Sequence, residues 1–166
     1  MTNPSINTSE YQPDSLPGLF LRYRSQIAAA LREELQPQES SGDVTAVYDM
    51  LRYYMGWAGT DGKPIVATEG KFLRPTLCLF ACQVTGGSVE QAMPAAVALE
   101  LIHNFSLIHD DIQDQDETRH HRKTLWPLWG IPKALVAGNV LRVVADSSLK
   151  ELVRRGVEPD TALGVA

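Results

Sequence analysis

Within the stretch Glu100-Leu-Ile-His-Asn-Phe-Ser-Leu-Ile-His-Asp-Asp-Ile-Gln-Asp114, acids and histidines alternate with apolar residues. Asp110 and Asp114 stand four positions apart. On a helix that spacing puts both carboxylates on one face, with Cβ atoms about 6 Å apart. Such a pair suits a hard cation, and magnesium is commonly held by one or two carboxylates plus substrate phosphates. Asp111, Asp116 and Glu117 thicken the cluster, and Arg119, His120, His121, Arg122 and Lys123 follow at once. Acids for a metal, then bases for phosphate oxygens, is the order a metal–diphosphate site requires. For an isolated DDxxD the competing reading is an acidic helix end running into a solvated loop, because short motifs recur by accident.

The element that must carry these acids is a long helix from Ser88 to Ile112. Ala92, Ala95, Ala96, Ala98, Leu99, Leu101, Ile102, Phe105, Leu107 and Ile108 leave little of it polar, so it should be buried on most sides. Ser88-Val-Glu-Gln91 reads as a capping box at its start, and Pro94, a turn later, is a candidate kink that would move the start closer to itself. Carboxylates at the far end oppose the helix dipole, so a cation is expected to compensate them. His103 lies seven residues before Asp110, two turns away on nearly the same face. Lys71 and Arg74 lie near the start of a helix predicted over 72–84, where free backbone N–H groups already attract anions.

The other elements are also helical. Leu19, Phe20, Tyr23, Ile27, Leu31 and Leu35 recur near a 3.6-residue period and predict a first helix over 17–36. A second is predicted from Val44 to Trp57 with Asp43 as its N-cap, and a fifth from Lys133 to Arg155. Residues 1–15 read as a flexible tail and 16–166 as one helical domain. Residues 115–132 read as a loop, and Asp160 could cap a further helix. No run shows strand alternation and no repeat appears, so the fold class is all-α.

Composition narrows the function. The chain has 166 residues, 44% of them hydrophobic, and a net charge of −5, without the basic footprint of a nucleic-acid binder. No apolar run approaches the roughly 20 residues that span a bilayer, and the N-terminus lacks the pattern of a secretion signal, so a cytoplasmic, non-membrane-spanning protein is expected. Cys78 and Cys82 read as small core residues.

Leu107-Ile-His-Asp-Asp-Ile-Gln-Asp114 resembles the first aspartate-rich motif of the trans-isoprenyl diphosphate (polyprenyl) synthases. Gly70-Lys-Phe-Leu-Arg-Pro75 resembles the family's upstream GKxLRP motif. Glu100-Leu-Ile-His103, Arg119 and Thr124-Leu-Trp126 fall in register with them. The resemblance implies an isoprenoid synthase-type helical bundle. It implies condensation of isopentenyl diphosphate with an allylic prenyl diphosphate, with Mg2+ neutralising the departing diphosphate. Carried over by position, Asp110 and Asp114 would ligate magnesium, and Asp111 would join them in the catalytic motif less directly. Lys71, Arg74 and His103 would hold isopentenyl diphosphate, and Arg119 and His120 the allylic diphosphate. Phe105 and Ser106 would border the product tunnel; a small Ser106 one turn before Asp110 points to a C15 to C20 product.

The chain departs from the family pattern in several ways. His120 replaces an arginine, Lys123 replaces a proline, and Asn139 stands where a Gly-Asp pair is usual. After Glu117 the only acids are Asp146, Glu151, Glu158 and Asp160, without a second DDxxD. The chain therefore reads as the N-terminal half of the fold, completed by a missing half, by self-association as a homo-oligomer, or by a complementing chain. An exposed apolar face is expected where the partner helices are missing. Two alternatives use the same residues: a non-catalytic regulatory or structural partner of a full-length synthase, and an HD-type metal-dependent phosphohydrolase built on His109 and Asp110.

Overall fold

Small and apolar side chains on nearly every side of residues 89–113 make this segment the axis of the molecule. In the computed structural model it is helix α4, Val89–Gln113. The structure describes residues 16–36, 42–66 and 70–165, and at 16, 17, 19, 20, 42 and 43 the backbone only. The expected tail at 1–15 and most of the loop after Gln36 lie outside the described residues. Seven helices and one two-stranded hairpin are described: α1 Leu16–Glu34, α2 Gly42–Tyr54, α3 Leu73–Val84, α4, β1 Thr118–Arg119, β2 Arg122–Lys123, α5 Leu125–Trp129, α6 Ile131–Arg154 and α7 Pro159–Val165. Apart from that hairpin and an isolated bridge between Ala58 and Pro64, the regular structure of the described residues is α-helical.

Helix α4 packs chiefly against α6 and α3. Ala96, Ala98, Leu101 and Ile108 are buried on α4, facing a core that includes Ala134, Ala137, Leu141 and Ala145 of α6. The small residues let the two axes approach closely, and each fully buried Leu or Ile contributes roughly 1.5–3 kcal/mol. Gly138 marks the tightest point: a Cβ there would lie 2.6 Å from Cε1 of His109. The α1 periodicity is borne out, with Tyr23, Ile27, Leu31 and Leu35 all buried.

Ser88 caps α4, its Oγ accepting from the backbone N–H of Gln91 at 3.2 Å. The capping box is not reciprocal, because the Gln91 side chain donates instead to the carbonyl of Arg155. Pro94 does not delay the helix start. Its missing N–H frees the carbonyl of Glu90, and the guanidinium of Arg155 donates to that oxygen at 2.7 Å. Helix α2 begins at Gly42, so Asp43 sits inside its first turn and not before it.

The 115–132 segment is more ordered than its sequence predicts. Gln115 takes a left-handed conformation (φ 58°), and the N–H of Asp116 returns to the carbonyl of Asp111 at 2.9 Å, closing α4 with a Schellman-type turn. The hairpin pairs Thr118 with Lys123 and Arg119 with Arg122. His120 and His121 form its two-residue turn, both at positive φ (50° and 63°). Two-residue strands are too short to show alternation, which is why the sequence reads as loop. The described helices include none long and apolar enough to cross a membrane.

Candidate active site

The hairpin is fastened to the C-terminal end of α2. The Tyr53 hydroxyl donates to the carbonyl of Lys123 at 2.9 Å. The Arg122 guanidinium lies 4.2 Å from the centre of the Tyr53 ring and donates to the carbonyl of Ala58. Trp129 of α5 meets the same tyrosine edge-on at 5.1 Å. Thr124 Oγ1 and Trp126 Nε1 both donate to the carbonyl of Asp116, tying the end of the hairpin back to the acidic segment. Arg122 is thus a structural cation; its charge is spent on Tyr53 and a carbonyl.

Between this hairpin, α3 and α4 lies a cleft of about 730 Å³. Lys71 and Arg74 line it from the start of α3, His103 from the middle of α4, and Arg119 and His120 from the hairpin. Phe72, at the N-cap position of α3, is buried with a left-handed backbone (φ 48°), between Lys71 and the first turn that carries Arg74. Glu100 also lines the cleft. Burial raises its carboxyl pKa, opposed by a hydrogen bond from Asn104 and by the charge of Arg74. His103 has its pKa lowered, first by burial and then by Arg74 and Arg119; Asp110 works in the opposite direction. A second groove, of about 420 Å³, runs along α1 and is lined by no acid.

The three aspartates of the motif divide into two kinds. Asp110 and Asp114 are exposed, and no ion pair among the described residues engages either. Asp111 is buried, 1% exposed, and both of its oxygens are taken. Its Oδ1 accepts from Arg119 Nε at 2.8 Å and Nη2 at 2.7 Å, and its Oδ2 accepts from the Tyr54 hydroxyl at 3.1 Å. The cation expected to offset the acids at the end of α4 is, for Asp111, Arg119. The pairing raises the Arg119 pKa, and burial with the adjacent Asp111 charge pushes the Tyr54 hydroxyl well up, so it stays a donor.

A hard cation fits the open pair. Asp110 and Asp114 offer oxygen donors only, while Asp111 is withdrawn. Among the described residues no group of three acids, histidines or cysteines converges, so further ligands would have to be substrate oxygens and water. Phe105 and Ser106 do not line the cleft: the Phe105 ring meets the His109 ring at a 56° tilt with centroids 4.4 Å apart, and Ser106 Oγ donates to the carbonyl of His103. His109 is turned into the seam with α6, its Nδ1 2.9 Å from the carbonyl of Phe105 and its ring against Gly138. That placement removes the His109–Asp110 ligand pair on which the phosphohydrolase alternative rests.

The sequence model of the Polyprenyl synthetase family matches residues 60–162. The chain belongs to the polyprenyl synthetase family. Among curated members, a (2E,6E)-farnesyl diphosphate synthase from Mycobacterium tuberculosis is 43% identical over 100 residues, 60% of this chain and 28% of that protein. A geranylgeranyl pyrophosphate synthase from Geoglobus acetivorans is 40% identical over 111 residues, 67% of this chain and 30% of that protein. The crystal structure of a polyprenyl synthetase from Streptomyces coelicolor A3(2) superposes with a TM-score of 0.74 at 36% identity, covering 83% of this chain and 39% of the other. The isoprenoid synthase bundle expected from the motifs is therefore the fold, and this chain matches well under half the length of each of these relatives.

Sequence reasoning missed Tyr53 and Tyr54 as supports of this cleft, and it read Arg122 as a base for phosphate oxygens where its guanidinium instead engages Tyr53 and the Ala58 carbonyl. The available signal was an adjacent Tyr-Tyr pair at the end of an amphipathic helix, where a buried hydroxyl needs a partner.

Proposed function

We propose that this chain carries the substrate-ionising part of a prenyltransferase that condenses isopentenyl diphosphate with an allylic prenyl diphosphate. One observation carries the reading: Lys71, Arg74, His103 and Arg119, from separate elements, line one cleft, and although Asp110 and Asp114 are not part of its lining, the charge of Asp110 acts on His103. In this reading Lys71, Arg74 and His103 hold the diphosphate of isopentenyl diphosphate. Arg119 and His120 hold the allylic diphosphate, and Asp110 and Asp114 hold Mg2+. Bound there, magnesium supplies Lewis-acid neutralisation of the departing diphosphate. The allylic C–O bond breaks, the double bond of isopentenyl diphosphate attacks the allylic carbon, and the leaving diphosphate takes a proton from the resulting carbocation, which closes to a new double bond. His103, its pKa lowered by burial, serves as a neutral N–H donor above that value and gains charge as the pH falls.

After Glu117 the only acids within these 166 residues are Asp146, Glu151, Glu158 and Asp160. Asp146 pairs with Arg142 and Glu151 with Arg154, which leaves no second cluster after Glu117. A C15 to C20 product is favoured by the small Ser106 and by the names of the farnesyl and geranylgeranyl synthases it resembles. A second reading is a non-catalytic partner of a full-length synthase. Calorimetric titration with isopentenyl diphosphate tests the cleft. Arg74→Ala should weaken binding at least about tenfold, since it removes a charge-assisted contact. Equal affinity in the variant would refute the assignment. Mixing the chain with a full-length synthase separates the two readings: the partner reading alone expects a changed rate or product length from a chain that binds no prenyl diphosphate.

A further inference from the structure

Tyr54 belongs to none of the motifs, yet it closes a three-member chain into the cleft. Its hydroxyl donates to Asp111 Oδ2, and Asp111 Oδ1 accepts both Nε and Nη2 of Arg119. Among the described residues no acceptor takes Arg119 Nη1, so one edge of the guanidinium remains for a ligand while the other is fixed. Arg119 sits on a two-residue strand next to a turn with two left-handed histidines, a support that does not by itself hold a long side chain still. The neighbouring contacts from Tyr53 hold only the backbone of Lys123 and the side chain of Arg122.

We propose that Tyr54 is a positioning residue for diphosphate binding. It fixes the rotamer of the buried Asp111 carboxylate, which in turn aims Arg119 into the cleft. Without the hydroxyl, Asp111 keeps its charge but loses one of its two anchors, and Arg119 gains a second orientation. The energy at stake is that of one hydrogen bond to a charged group, enough to matter for affinity and too small to decide folding. The assignment rests on the reading of Arg119 as a diphosphate ligand given above.

Tyr54→Phe keeps the ring and removes the hydroxyl, and two measurements follow. The first needs no ligand: the Arg119 Nε–H resonance in the 15N NMR spectrum. It should exchange slowly with solvent in the wild-type chain and about tenfold faster in the variant. An unchanged exchange rate overturns the proposal. The second is the Kd for geranyl diphosphate in the presence of Mg2+, which should rise about 5- to 10-fold in Tyr54→Phe. In an Arg119→Gln background the same substitution should change Kd by less than about twofold, because a positioning residue has nothing left to position. An equal Kd in wild type and variant, or an undiminished effect in the Arg119→Gln background, overturns the role of Tyr54 alone. A wild-type chain that does not bind geranyl diphosphate overturns the reading of the site itself, and this assignment with it, even if the NMR result is as expected.

Discussion

The aspartates of one motif do different work because of where the helix turn leaves them. Asp110 and Asp114 point to the open side, whereas Asp111, rotated by about 100° at 3.6 residues per turn, meets α2 and the hairpin and is neutralised inside the protein. The spacing of 110 and 114 was readable from the sequence alone. The fate of Asp111 was not, since it depends on Tyr54, 57 residues earlier. Glu100 offers a test at this scale. Burial raises its carboxyl pKa above the ordinary 4.5, so the folded chain holds a proton that the unfolded chain has released. Stability attributable to this group is present at low pH and lost as the pH rises from 4.5 through the raised value. Glu100→Gln should therefore raise the melting temperature at pH 7 and have little effect at pH 4. A lowered melting temperature at pH 7 would show that the ionised carboxylate is stabilising, through Arg74.

Helices α1 to α4 and α6 follow from periodicity, caps and glycines, with ends legible to within a few residues, whereas the short α5 lies in a segment that reads as loop. Ser88 at the start of α4 and the buried face of α1 stand where the pattern puts them. The hairpin was not legible, because two paired residues on each strand carry no alternation and its turn uses histidines where Asn-Gly would announce it. Left-handed backbone is costly for a residue with a Cβ, so His121→Gly should stabilise the fold by about 0.5–1 kcal/mol in urea denaturation. Destabilisation would mean that the His121 side chain makes a compensating contact. The α4–α6 seam predicts the opposite sign for an added methyl. Gly138→Ala drives a Cβ into the His109 ring and should cost about 1–3 kcal/mol. A neutral result would show that the ring can swing clear.

For the whole molecule, an apolar stripe on α3 is exposed. Leu73, Leu77, Phe80 and Val84 recur along one side of α3, and the most covered of them, Phe80, is still 38% exposed. Such a stripe associates with something in water, and the isolated chain should show concentration-dependent association in sedimentation velocity. Leu77→Glu with Phe80→Glu should reduce it; unchanged association would place the contact on another surface. The sequence did not give this stripe, since helical periodicity does not say what a helix packs against. The central claim is that the open carboxylates at the end of α4 and the cations across the cleft form one metal–diphosphate site. It is tested most directly by calorimetric titration of geranyl diphosphate into the wild-type chain and Asp110→Ala, each with and without Mg2+. The account predicts magnesium-dependent binding by the wild-type chain that Asp110→Ala abolishes. Identical binding by the two proteins, or wild-type binding that ignores magnesium, would contradict it.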